Sequence, residues 1–180
     1  MALFTRACAR GGGALAATAL LLAPVASMPG RTLTLTAPDL HPAAATLLTM
    51  RQREDHFAER VLVLVNQRRA AHHLRQVGSN PCVRSYADDW AASLARRNAF
   101  EHSDLPSLLS RCSASYVSEN IGRLPPSMSP RDLVRLWMQS PPHRHNILSP
   151  YPTTSGIAVR YDADERAWLA VQNFARHLGS

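Results

Sequence analysis

Three short stretches carry residues that could do chemistry. Phe100-Glu101-His102-Ser103 holds one histidine, and Ser118-Glu119-Asn120-Ile121-Gly122 holds a glutamate. Ser140-Pro141-Pro142-His143-Arg144-His145-Asn146-Ile147-Leu148 holds a second histidine and its neighbour His145. Two imidazoles and one carboxylate, brought together, can ligate a divalent metal or hydrogen-bond into a polar cleft. His102 and His143 would give zinc or another divalent ion two nitrogens. Glu119 would be a further ligand, or the tentative catalytic base toward a metal-bound water. Without a metal, Glu119 could hydrogen-bond both rings and favour their charged forms. There is no His-Glu-x-x-His, no nucleophile elbow and no glycine-rich phosphate loop. Ser140 precedes His143 by three residues, but the prolyl pair between them argues against a nucleophile. Asn120 and Asn146 are expected to satisfy loop backbone groups.

The elements that must position these residues can be read from periodicity. Phe57, Val61, Leu64 and Val65 recur at helical spacing, with Asp55 as a cap, and the helix is expected to end near His73 or Leu74. Gly78-Ser79-Asn80-Pro81 is a break. A second helix is expected over 82–98, with Val83, Tyr86, Trp90, Ala91 and Leu94 as its apolar stripe. Residues 105–111 suit a short helical turn, and 115–122 reads as extended. Ser129-Pro130-Arg131-Asp132 is a helix start, with serine as cap, proline at the first position and a carboxylate at the third. Pro141-Pro142 is expected to end that helix. Residues 155–161 and 167–175 are expected to form a hairpin around the loop 162–166. Helices, a strand, a helix and a terminal hairpin make an α+β pattern with helices on a small antiparallel sheet.

Residues 1–27 have the layout of a signal peptide. Arg6 and Arg10 precede an uncharged apolar run from Gly11 to Ala23, and Val25-Ala26-Ser27 offers a cleavage site. A retained anchor is the alternative, although the run falls short of the roughly 20 apolar residues of a membrane span. Residues 28–53, rich in Pro, Thr and Ala, read as a flexible linker, and 54–180 as one folded domain. Beyond the leader only Cys82 and Cys112 remain, a natural disulfide pair in an exported protein; two buried thiols are the alternative.

The formal charge is +7, and the chain contains no lysine. Without Arg6 and Arg10, eighteen of the twenty basic residues face thirteen acidic ones, a balance of +5. The arginines are scattered among elements rather than grouped with stacking aromatics, which argues against a specific nucleic-acid site. Weak attraction to anionic cell-envelope polymers is compatible with the net charge.

With these residues in view, the chain resembles bacterial members of the CAP superfamily, named for cysteine-rich secretory proteins, antigen 5 and pathogenesis-related proteins. The resemblance runs from about Phe57 to Ala175. It rests on Val65-Asn66-Gln67-Arg68-Arg69, on Trp90-Ala91 followed by Phe100-Glu101-His102-Ser103, and on Ser118-Glu119-Asn120-Ile121-Gly122. Trp137 to Leu148 and Trp168-Leu169-Ala170-Val171-Gln172-Asn173-Phe174 complete it. The resemblance implies an α-β-α sandwich with a central cleft that often holds two histidines and two glutamates. His102, His143 and Glu119 match three of these positions. Ser140 stands at the second glutamate's position, one negative charge fewer for holding a cation. The family implies a secreted binding protein with a lipid, peptide or cell-wall fragment as ligand, and a monomer is expected. A metal-dependent hydrolase and an extracellular interaction factor without cleft chemistry are the alternatives.

Overall fold

The computed structural model describes residues 42–177. The expected signal segment, and the expected linker as far as residue 41, lie outside the described residues. Helix α1 spans Pro42–Ala71, strand β1 Gly78–Ser79, helix α2 Pro81–Arg97 and helix α3 Leu105–Arg111. Strand β2 spans Ala114–Leu124, helix α4 Pro130–Gln139, helix α5 Pro141–Ile147, strand β3 Thr154–Asp162 and strand β4 Ala167–His177. The strands lie in the order β1-β3-β4-β2. β3 and β2 flank β4 antiparallel, and the two-residue β1 adds to β3 in parallel. The long strands are therefore antiparallel as expected, and the small fourth strand makes the sheet mixed.

Side-chain alternation on the strands builds a helical layer on each face. Ala170 and Phe174 of β4, with Ile157 and Val159 of β3, meet Phe57, Val61 and Val65 of α1, Leu133, Val134 and Trp137 of α4, and Ile147 of α5. On the opposite face Leu169 and Val171, with Ala158 and Ile121, meet Ala87, Ala91 and Leu94 of α2. Val83, Leu108, Cys112 and Ala175 continue that second layer. This is the α-β-α sandwich. The small residues of α2 let it lie close to the sheet. A Cβ built on Gly156 of β3 would come within 2.5 Å of the Val83 backbone.

α1 departs from expectation at its start. It begins at Pro42, so residues 42–53 are helix and not linker. Asp55 lies inside the helix and pairs with Arg84 of α2 at 2.7 Å, so it is not the cap. Glu54 is buried; its Oε1 accepts from the Tyr161 backbone N–H at 3.0 Å, and its Oε2 meets Arg160 at 3.2 Å. Arg160 also donates to the Val159 carbonyl and pairs with Asp88 of α2.

One cap matches the sequence reading, and a second lies in a segment read there only as a break. Ser129 and Asp132 form a reciprocal capping box at the start of α4, and Asn80 caps α2 through the Val83 N–H. Pro141-Pro142 follows the end of α4 as expected, and the pair also opens α5, which was not expected. Ser140 is the hinge, ending one helix and starting the next. Proline tolerates the first turn of a helix as well as the position beyond its end, so the dipeptide alone is ambiguous. Cys82 and Cys112 form a disulfide with a sequence separation of 30. It ties the first turn of α2 to the segment entering β2.

Candidate functional site

Glu119 sits on β2 opposite Asn173 of β4, on the sheet face that α2 and α3 cover. Both of its oxygens are fully engaged. Oε1 accepts from the Ser103 backbone N–H at 2.9 Å and lies 2.8 Å from His102 Nδ1. Oε2 accepts from Ser103 Oγ at 2.6 Å and from Asn173 Nδ2 at 3.0 Å. A carboxylate removed from water needs such donors to offset its lost hydration.

The loop that carries His102 and Ser103 is held from α2. Trp90 Nε1 donates to the Glu101 carbonyl at 3.1 Å, and Tyr86 donates its hydroxyl to the Asp104 carbonyl. His102 therefore reaches the solvent from a rigid seat. Because the carboxylate accepts, Nδ1 carries the proton and the Nε2 of the neutral ring is left as an acceptor.

His143 and Ser140 lie on the other side of β2, at the α4–α5 junction. They line a hollow of about 250 Å³ with Ile121, Leu133 and Trp137. The His143 ring is 6.4 Å from that of Trp137. Burial, and secondarily the charge of His102, hold the His143 pKa below its ordinary value. The two rings are thus within electrostatic reach of each other. The Ser140 hydroxyl makes no capping bond. Asn120 is buried and donates to Gln172 Oε1 at 3.3 Å and to the His143 carbonyl at 3.4 Å. Asn146 of α5 donates to the Asn120 side chain at 3.0 Å and to the Glu119 carbonyl at 2.9 Å. The asparagines therefore fasten α5 to β2 across elements, which is more than the local turn role expected of them.

The donor set does not fit a metal centre of three or more protein ligands. Among the described residues no group of three His, Cys, Asp or Glu side chains converges on a common point. Glu119 has no oxygen free, and zinc sites use three or four ligands. His102 and His143 remain as two nitrogens. His145, two residues from His143, lines a separate surface hollow with Arg144 and Pro150.

Sequence reasoning missed Ser103, Gln172 and Asn173. Their signal was available, since two consecutive polar residues interrupt the otherwise apolar strand Leu169-Ala170-Val171-Gln172-Asn173-Phe174. A polar residue on a buried strand face needs a partner.

A larger hollow, of about 450 Å³, lies between α1 and α4 and shares none of these residues. Phe57, Leu64, Met128 and Trp168 give it apolar walls, and Arg53, Arg60 and Arg131 line it as well.

Comparison with known proteins agrees with the fold. No curated protein matches the chain significantly. Among solved structures, an extracellular protein containing an SCP domain from Bacillus anthracis aligns with a TM-score of 0.63 at 23% identity, covering 76% of this chain and 44% of that one. A cysteine-rich secretory protein from Staphylococcus aureus aligns with a TM-score of 0.58 at 17% identity, covering 68% and 39%. An outer surface protein from Borrelia burgdorferi aligns at 0.59 and 14%, covering 66% and 90%. The chain thus spans less than half the length of the first two. The model of the cysteine-rich secretory protein family, CAP, matches residues 62–174, which is most of the sandwich described above. By that match and by its fold, the chain belongs to the CAP family.

Proposed function

We propose that this chain is an extracellular binding module that holds an anionic amphiphile, a long-chain carboxylate or similar lipid, in the groove between α1 and α4. The observation that carries this reading is the lining of that groove. An apolar wall of Phe57, Leu64, Met128 and Trp168 meets three guanidiniums, Arg53, Arg60 and Arg131. Among the described residues, no carboxylate lines the hollow. Its volume of about 450 Å³ falls among ordinary ligand pockets. An apolar tail would gain by leaving water, and an acidic head would gain charge-assisted hydrogen bonds from arginine. The extracellular assignment draws on the signal-like residues 1–27 and on two relatives described as extracellular or outer-surface proteins.

Titrating dodecanoate against the protein while following tryptophan fluorescence tests the reading. Saturable binding that weakens tenfold or more in Arg60→Ala/Arg131→Ala is the expected result. No saturation, or equal binding by the variant, would count against it.

The His102–Glu119 bond favours a second reading, hydrolysis with His102 as the base. A carboxylate that fixes an imidazole tautomer is a recurrent device of such sites. The metal-dependent form expected from sequence, with Glu119 as the base, ranks lower still because both of its oxygens are occupied. Peptide or ester turnover lost in His102→Ala, with the fold intact, would raise the His102 reading above the first. Elemental analysis of the purified protein addresses a metal independently of turnover.

A further inference from the structure

A further hollow lies at the base of the sheet, where the loop after α1 meets the loop between α5 and β3. It has a volume of about 130 Å³, the space of about four waters in the liquid. Arg75, Gln76, Tyr151, Thr153 and Arg176 line it, and among the described residues no carboxylate does. Arg75 and Arg176 are exposed, and neither is in an ion pair among the described residues. Thr153 Oγ1 is buried and has no hydrogen-bond partner among the described residues.

The walls are rigid. Arg69 beneath them is 1% exposed and donates to the Arg75 carbonyl at 2.8 Å, to Ile147 at 2.7 Å and to Ser149 at 2.8 Å. One buried guanidinium thus fixes both loops, and its hydrogen bonds to those loops all go to neutral carbonyls. Thr153 is pinned through its backbone to Ala175 and Gly78, each at 3.0 Å. The Tyr151 ring lies 5.6 Å from that of Tyr116, whose hydroxyl reaches Ser149 Oγ at 3.3 Å.

We propose that this hollow is an oxyanion site that binds a phosphate group, with Arg75 and Arg176 as its paired cations. Two arginines lining one hollow match the several oxygens of a phosphate better than a single charge does. The exposed Tyr151 ring beside them offers an apolar face to the group that carries the phosphate. The site is separate from both the α1–α4 groove and the His102–Glu119 pair. Arg176 also lies beyond the residues matched by the family model, 62–174.

The test is a heteronuclear NMR titration of the protein with inorganic phosphate, glucose 6-phosphate and glucose at fixed ionic strength. Saturable shifts centred on Arg75, Thr153 and Arg176 with one or both phosphates, and none with glucose, are expected. Tighter binding of glucose 6-phosphate would assign a phosphate ester as the source, and equal binding would assign free phosphate. Arg75→Ala/Arg176→Ala should weaken binding at least tenfold. The charge-matched Arg96→Ala/Arg166→Ala should bind as the parent does. Absence of saturable shifts, or equal weakening by both double variants, would overturn the proposal, since the second outcome would reduce it to bulk charge.

Discussion

Glu119 Oε1 lies 2.8 Å from His102 Nδ1, joining a side chain that is 0% exposed to one that is 60% exposed. The bond is therefore unequal in its consequences. Glu119 is the hub on which Ser103, Asn173 and His102 all converge, whereas His102 is a spoke. Glu119→Ala leaves several buried donors unpaired and should cost about 3 kcal/mol or more. His102→Ala should cost about 1 kcal/mol or less, because most of that ring is already in water. Urea denaturation of the two variants checks this, and equal losses would contradict the hub arrangement.

His143 should titrate below its ordinary 6.5. Its folded value is depressed, so between that value and 6.5 the unfolded chain binds more protons than the folded one. Its contribution to stability is complete above about 6.5, declines as the pH falls through that window and levels off below the folded value. NMR titration of the ring protons measures the shift. His102→Ala should restore it only in part, because burial is the larger cause and the His102 charge the smaller.

Two glycines make a matched pair. Gly156→Ala would drive a methyl into the α2 backbone at Val83 and Arg84, with 2.3 Å separations that no side-chain rotation relieves. A loss of about 3 kcal/mol is expected. Gly78→Ala meets nothing within 4 Å and should lie within about 0.5 kcal/mol of the parent. Thermal melts of both variants separate close packing from a general effect of removing glycine.

Reduction of Cys82–Cys112, or the double serine variant, should cost about 3–4 kcal/mol through the 30-residue span that it closes. Hydrogen exchange should rise first in the loop of His102 and Ser103, which lies within that span. Uniform loosening of the whole domain would argue that the bridge does not govern this loop in particular.

Much of the fold was legible because local rules and tertiary packing agree. Ser129 and Asp132 announce α4, and Ile157, Val159 and Phe174 alternate as half-buried strands must. The start of α1 was hidden because 42–53 contains few large apolar residues, so no helical stripe distinguishes it from linker. Its N-terminal part is held instead by Glu54 reaching Arg160, a contact 106 residues away in sequence. β1 is two residues long and has no period to read. Of the candidate site, the residue types were visible but their roles were not. Glu119 looks like a base when taken with its sequence neighbours, and like an anchor only once Asn173 and Ser103 are placed beside it.

The position of Glu54 has a further consequence. Past Ser155, β3 has no neighbouring strand on its outer side among the described residues, and such a border attracts foreign strands, including those of sister molecules. Glu54 occupies the outward N–H of Tyr161, and Arg160 shields the Val159 carbonyl. Together they close the border with charge. Glu54→Ala or trimming of the helix ahead of Asp55 should therefore turn a well-behaved solution into one that polymerises through β3, visible as growing light scattering before any loss of secondary structure.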